Sequence, residues 1–350
     1  MTDTARRFET LSSRVQRIEN ALRRSGVQAI DMRRAGTLES DVLLPQIGGE
    51  QLADTPEIEY LEGTHDHIEQ RSIPRQNATH FRWFIDGSQK TMPVWRIGVV
   101  PIVVSIAVAG LLERNAQGEC YLVPGSLRES LIWIVPQQTN NGDIRALVDI
   151  LEDLGQEVID PLHGEDEYHR IAGIYDQVLF YANETAGKQR ELAEFAIARA
   201  WEEAHRHDSG NDWLVIDGRL AIDTARAIGL IKNPQGQHLA GLDAVTLLNL
   251  PAGHRTTAYR TTSRASARTH FYQRMWPSEG LDARRALIRI ELNGDDRDTE
   301  QFDEIASWLM AERVPTPKAD SRWPTLLYPV HLLERMLKQR INAITAGWPV

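Results

Sequence analysis

Hydrophobic positions along the chain follow two periods. Phe8, Leu11, Val15, Ile18 and Leu22 are spaced three and four apart, the seam of a short amphipathic helix, while Arg6, Arg7, Arg14, Arg17, Arg23 and Arg24 lie off it. Such a helix either packs on its own domain or is exchanged with a second subunit or partner. Glu9 and Glu19 among the basic residues weigh against a membrane surface. Residues 36 to 78 are polar, rich in Gly, Glu and Asp, and lack a sustained period, so they read as a connector. The strand period begins at Phe81, where an apolar run through Ile85 leads into Asp86-Gly87-Ser88, and further strands are predicted over 97–109 and 120–123. Helical spacing dominates over 143–154 and 173–204. A short run from Trp213 to Ile216 reaches Asp217-Gly218, and strands follow over 227–231, 256–262, 269–275 and 287–292. The last alternates, with Ile288, Ile290 and Leu292 on one face and Arg289 and Glu291 on the other. Two helices near 299–312 and 329–346 close the chain. Strands and helices mix without a regular repeat, which predicts an α/β fold with helices on the faces of a sheet. The organisation expected is an N-terminal helical extension over 1–35, a connector over 36–78 and one domain over 79–350.

Composition narrows the class. With 350 residues, 42% hydrophobic and 25% charged, the chain can bury a sizeable core, which excludes wholesale disorder. Cys120 is its one cysteine, so no internal disulfide forms, and no secretory signal opens the sequence; the cytosol is the expected compartment. The longest apolar stretch, 97 to 112, contains Gly98, Pro101 and Gly110 and is shorter than the roughly 20 residues of a membrane span, so no membrane association is expected. A net charge of -10 argues against coating nucleic acid through the overall field, and leaves room for a locally basic groove.

Two matching runs carry the chemistry. Phe84-Ile85-Asp86-Gly87 and Val215-Ile216-Asp217-Gly218 each read as a strand ending in a carboxylate at the sheet rim, the place where a pair of aspartates could hold a hard cation. The helix between them presents Glu191 and Glu194 three residues apart on one face, and either could reach the same ion. Near the C-terminus, Tyr328-Pro329-Val330-His331 places a proline suited to the first helical turn, with His331 in that turn. A helix N-terminus disfavours the imidazolium, as a metal ligand or proton acceptor requires. Three other clusters, His65-Asp66-His67, His163 to His169 and His205 to Asp208, lack zinc-ligand spacing and read as structural or solvent-facing.

Taken in order, Asp86-Gly87-Ser88, a helical glutamate, Asp217-Gly218, Gly229-Leu230-Ile231-Lys232, Arg289-Ile290-Glu291 and Tyr328-Pro329-Val330-His331 resemble the NurA nuclease family, over about 81 to 344. The resemblance implies an RNase H-like mixed sheet flanked by helices and manganese-dependent cleavage of DNA beside a HerA-type hexameric ATPase. It also implies metal-site residues at Asp86, a helical glutamate, Asp217 and His331, with Tyr328 as neighbour. Glu194 follows Arg190 at the expected spacing, with Glu191 a close competitor, and Arg219 stands where the second motif usually has serine. Independently of the resemblance, aspartates and a glutamate suit Mg²⁺ or Mn²⁺, an added imidazole tilts the preference toward Mn²⁺, and such ions are how phosphodiesters are hydrolysed. For the nucleic acid, the segment 254 to 274 carries Arg255, Arg260, Arg264, Arg268 and Arg274 without an acidic residue, interleaved with Tyr259, Phe271 and Tyr272. It reads as a basic stripe with stacking aromatics, and Lys232 as a phosphate contact. The absence of a Gly-x-x-x-x-Gly-Lys loop leaves any ATP-driven motion to a partner. The leading helix, with an exposed seam, suggests a homodimer. Two rival readings stand beside the nuclease: a non-catalytic adaptor on a translocase ring, and a phosphoesterase acting on small molecules.

Overall fold

The computed structural model describes residues 9–25, 33–34, 57–63, 66–76, 78–208, 210–232, 238–262, 267–278, 283–293, 299–315 and 325–348. The elements run α1 (Leu11–Arg24), β1 (Arg33–Arg34), β2 (Glu57–Tyr60), β3 (Gln70–Ser72), β4 (Phe81–Ile97), β5 (Val100–Arg114), β6 (Cys120–Leu122), β7 (Arg128–Ile134), α2 (Gly142–Asp153), β8 (Glu157–Ile159), α3 (Tyr168–Ala172) and α4 (Tyr175–His205). The second half supplies β9 (Trp213–Asp217), β10 (Ala227–Ile231), α5 (Gly241–Leu248), β11 (His254–Thr256), β12 (Tyr259–Thr262), β13 (Ala267–Arg274), β14 (Leu287–Leu292), α6 (Thr299–Ala311) and α7 (Tyr328–Ile344). Among the described residues the strands form one mixed sheet in the order β2-β12-β13-β14-β10-β9-β4-β5-β7-β8, with β1, β3, β6 and β11 pairing off this path.

At the centre, β4, β5 and β7 form an antiparallel meander, and β9 then β10 add parallel to β4. The helix α4 makes the crossover from one half to the other and covers one face, its Ile197, Ala198 and Trp201 packing on Ile85, Leu214 and Ile216. The opposite face is covered by α1, α2, α6 and α7, whose apolar stripes join Phe84, Val215, Ile228 and Leu230 in the main core. Because successive strand residues alternate faces, this assignment fixes which side each polar residue near the strand ends presents.

Three expectations are corrected here. The seam Leu11, Val15, Ile18 and Leu22 is buried in the chain's own main core, so it offers no exposed surface to a second copy and the argument for a homodimer falls; Phe8, Arg6 and Arg7 lie outside the described residues. Within the supposed connector, residues 57 to 60 and 70 to 72 are strands, paired with β12 and β11; residues 36 to 56 lie outside the described part. Their polar alternation hides the strand signal because only one edge of each is bonded to the sheet. Finally, Asp86-Gly87 does not end a strand. β4 continues to Ile97 and turns through Gly98-Val99 into β5, buried along nearly its whole length, with Gly98 at φ 58°, a left-handed value suited to a two-residue hairpin.

The wing formed by β2, β11, β12 and β13 is fastened by an ion pair out of contact with water. Arg255, 0% exposed, donates from both terminal nitrogens to Glu62, at 2.6 and 3.0 Å, and from Nε to Asp303 at 2.7 Å, while the Ala258 amide donates to Glu62 at 2.6 Å. Burial pushes the Glu62 carboxyl up, but the hydrogen bond and charge of Arg255 outweigh it and hold the group below its ordinary value of 4.5. Removing one member leaves an uncompensated buried charge, so Glu62→Gln is expected to lower the unfolding free energy by about 3 kcal/mol in a urea titration at pH 7. Since the native carboxyl is the more acidic one, this contribution is complete above pH 4.5 and is lost as pH falls through the native value. The variant should therefore show less acid destabilisation than the parent.

Candidate functional site

Parallel register brings the two aspartates together. Phe84 lies opposite Val215 and Ile85 opposite Ile216, so Asp86 and Asp217 follow the last paired position on neighbouring strands, close enough that the charge of Asp217 acts on Asp86. Both share a face with Phe84 and Val215, the face covered by α7. On the next strand Leu230 lies opposite Asp217, and Lys232, two residues on, turns its ammonium back to Asp217 Oδ2 at 2.6 Å. From α7, Glu334 belongs to the same electrostatic cluster: it opposes ionisation of Asp86 and supports the charge on Lys232. His331 sits one turn before it, with Nδ1 3.8 Å from Glu334 Oε2, and Lys338 donates to Glu334 at 2.6 Å.

Glu194 reaches the cluster from the other layer, on α4, and Gly87 is what admits it. A Cβ on Gly87 would stand 2.1 Å from Glu194 Oε1, so any side chain there displaces the carboxylate. Arg190, one turn earlier, donates to Glu194 Oε1 at 2.6 Å. Glu194 is 8% exposed, whereas the side chain of Glu191 is 69% exposed and turned to solvent, so the structure places Glu194 and not Glu191 beside the aspartates.

The loop after Asp217 is held by residues whose place in the sequence pattern had no evident role. Gly218 has φ 129°, accessible to glycine. The loop then crosses β10 at Gly229, where a Cβ would lie 2.5 Å from the Leu220 nitrogen. The Leu220 amide donates to Glu291 Oε2 at 3.0 Å, and Arg289 donates to Glu291 at 3.3 Å. Arg289 and Glu291 are thus buried, both faces of β14 being covered, and they anchor the segment that carries Asp217.

Charge is crowded in this site. Burial, followed by the charge of Asp217 and, more weakly, of Glu194 and Glu334, drives the Asp86 carboxyl well above its ordinary value, with Lys232 opposing. Burial also pushes Glu194 up to about 7, although Arg190 counteracts it and Asp217 adds to it. Lys232 is held above its ordinary value: burial acts against the ammonium, and Asp217 and Asp86 more than restore it. Glu334 is lowered, since Lys338, Lys232 and His331 outweigh burial. Asp86 and Glu194 are thus the under-compensated carboxylates, while the cations around Glu334 outweigh its burial.

Not every sequence-predicted residue belongs here. Tyr328 starts α7 but is 58% exposed. The expected basic stripe is corrected. Tyr259, Phe271 and Tyr272 are buried, so they cannot stack on bases, and Arg255 and Arg274 are buried as well, the latter donating to backbone carbonyls of Leu250, Leu248, Ala283 and Arg285. Arg260 pairs with Glu59 at 3.0 Å, Arg268 meets Asp223 at 3.1 Å and Asn293 at 2.8 Å, and Arg264 lies outside the described residues. Counting arginines along the segment missed these partners because they come from distant strands and loops. Glu334 went unnoticed for a different reason. Its three-residue spacing from His331 on one helix was the available signal.

Among the described residues no group of three or more His, Cys, Asp or Glu side chains is gathered as it would be around an ion, and Lys232 and Arg190 donate to Asp217 and Glu194. The donor set nonetheless suits a hard divalent cation: Asp86, Asp217, Glu194 and Glu334 are oxygen ligands, and the raised values at Asp86 and Glu194 mark negative charge that a cation would relieve. Comparison with protein-family models and with curated proteins returned no match.

Between pH 4.5 and about 7 the native state holds a proton on Glu194 that the unfolded chain has released, so this group makes stability fall as pH rises across that window. Glu194→Gln removes the buried charge and is expected to stabilise the protein by roughly 2–3 kcal/mol at pH 8, with little effect at pH 4.5, in denaturant titrations at the two values. Gly87→Ala should move the flexible end of Glu194 aside at small cost in stability, and bring its carboxyl titration, followed by ¹³C NMR, back toward 4.5.

Proposed function

We propose that the chain is a divalent-metal-dependent phosphodiesterase of the RNase H-like kind that cleaves DNA. The observation that carries this reading is the adjacency of Asp86 and Asp217 on neighbouring parallel strands, joined by Glu194 from one layer and Glu334 from the other, with Lys232 among them. An antiparallel three-strand meander followed by a crossover helix and two further parallel strands, with carboxylates clustered on the central ones, supports the RNase H-like assignment.

Asp86, Asp217 and Glu194 would hold the ion, with Glu334 or His331 completing its surroundings. When bound, Mn²⁺ or Mg²⁺ supplies a more acidic water and stabilises charge on the phosphoryl oxygens. The protein's own groups do the rest. Lys232 releases Asp217 and directs its ammonium toward a phosphate oxygen. Arg190 holds the Glu194 carboxylate in place, and Glu291 fixes the loop that carries Asp217. His331, in the first turn of α7, is placed to take or give a proton at the edge of the cluster. The resemblance adds a HerA-type hexameric ATPase as the partner that delivers DNA, in repair or in defence against phage.

One finding favours a second reading. With its aromatics buried and Arg260 and Arg268 bound to acidic or amide partners, the β12–β13 segment gives DNA little to grip, which suits a phosphoesterase acting on small substrates. Degradation of linear DNA by the purified protein with Mn²⁺ separates the two. The nuclease is expected to cut, and Asp86→Asn and Asp217→Asn each to reduce the rate at least about 100-fold, the loss typical of removing a group that acts on the reacting atoms. Full activity in Asp86→Asn refutes the site; hydrolysis of mononucleotide esters with DNA left intact supports the phosphoesterase; and no hydrolysis with any divalent ion supports the adaptor.

A further inference from the structure

The loop after Asp217 carries a cation that the site does not use for its own neutralisation. Arg219 is exposed, and among the described residues its guanidinium forms no ion pair or hydrogen bond. Other arginines of this region are engaged: Arg190 with Glu194, Arg289 with Glu291, and Arg268 with Asp223 and Asn293. The leading cation at Asp86 is Lys232 and that at Glu194 is Arg190, so Arg219 is not what balances either carboxylate. Its charge acts instead at His238. Burial first, then Arg289 and Arg219, bring that imidazole down to about 4, and no carboxylate is among the causes. A guanidinium without a counter-charge thus borders a cluster of under-compensated carboxylates.

The backbone on both sides of Arg219 is fixed although its side chain is not. Gly218 takes a φ of 129°, and the loop lies so close on Gly229 that a Cβ there would stand 3.1 Å from the Arg219 carbonyl carbon. The Leu220 amide is held by Glu291, and the side chains of Leu220 and Ile222 are buried in the core on the α4 side. Two residues of chain reach at most about 7 Å, so the Arg219 backbone stays that near to Asp217. A nucleic-acid strand advances about 3.4 Å per nucleotide, which puts the guanidinium within a few nucleotides of a phosphate held at the carboxylates.

We propose that Arg219 seats a second phosphate of the substrate, next along the strand from the one that is cleaved. The inference rests on the phosphodiesterase reading and narrows its substrate class to a strand with consecutive phosphates, since a mononucleotide ester offers Arg219 nothing to bind. The charges alternate as such a substrate requires. The carboxylates call for a divalent cation, which meets the scissile phosphate, and the free guanidinium beside them meets the neighbouring anion. A guanidinium suits that role because its planar fork can donate two parallel hydrogen bonds to one phosphate. Arg219 is therefore a binding residue, which holds the strand in register while the carboxylate site acts on it.

Binding of a short fluorescent single strand to the full chain without divalent ions, followed by anisotropy across a salt series, tests the inference apart from catalysis. Arg219→Ala, which removes no bond among the described residues, should weaken the strand about tenfold and lower the slope of log affinity against log salt by about 0.7, the share of one phosphate contact. Arg219→Lys keeps the charge, so the slope should stay near the parent's while affinity falls less. With Mn²⁺, the loss of kcat/KM in Arg219→Ala should lie in KM and be at least about fivefold larger for the strand than for bis-nitrophenyl phosphate, a diester with no second phosphate. Arg23→Ala removes an exposed cation from α1, on the opposite face of the sheet from α4, and should alter neither affinity nor slope. Unchanged affinity and slope in Arg219→Ala, or an equal loss in Arg23→Ala, overturns the inference and leaves the phosphodiesterase reading standing. A parent that neither binds the strand nor hydrolyses either substrate overturns that reading and the inference with it.

Discussion

Two carboxylates in adjacent positions of neighbouring parallel strands repel one another, and the rest of the site is arranged around that repulsion. Asp86 and Asp217 are brought together by the backbone ladder between β4 and β9, which is indifferent to side-chain charge and is secured by the apolar residues that flank it. The conflict is moderated locally by Lys232 on Asp217 and by Arg190 on Glu194. It is not removed, as the upward displacement of Asp86 and Glu194 shows. Burial is the first cause of both displacements, and a divalent cation would lower them by supplying the missing charge.

The layers contribute unequally. The face toward α7 holds Asp86, Asp217 and Lys232 with Glu334, and the face toward α4 holds Glu194. A carboxylate from one layer can join those of the other because β4 carries glycine at position 87. Scaffolding residues act at a further remove. Gly218, Gly229 and Glu291 set the course of the segment after Asp217. The wing built on Arg255 and Glu62 uses the same means, a buried pair of opposite charges, for a structural end.

Much of this was legible in the residues. The helical period of α1, α2, α4 and α7, the apolar run of β5 and the alternation of β14 follow from side-chain spacing alone, since each element must bury one stripe or face. Pro329 marks the start of α7 because its missing N–H is not needed in a first turn. Asp86, Asp217, Lys232 and a glutamate of α4 could be singled out because polar residues beside apolar strands demand a reason. What spacing does not encode is which neighbour each polar side chain meets. Glu194 and Glu191 are equivalent on a helix drawn in isolation, and only the packing of α4 on the sheet buries one and exposes the other.

The same distinction accounts for the misreadings. An arginine-rich, aromatic segment without acidic residues looks like a surface for nucleic acid, but Glu59, Glu62, Asp223 and Asp303, from remote parts of the chain, supply its counter-charges. The seam of α1 looks like an interface until the main core closes over it. Local order along the chain determined the elements, the α/β character and the residues able to do chemistry, because periodicity and residue type act over a few positions. Strand register, the pairing of charges and the choice between burial and exposure were decided by the tertiary structure, because they depend on contacts between residues tens to hundreds of positions apart.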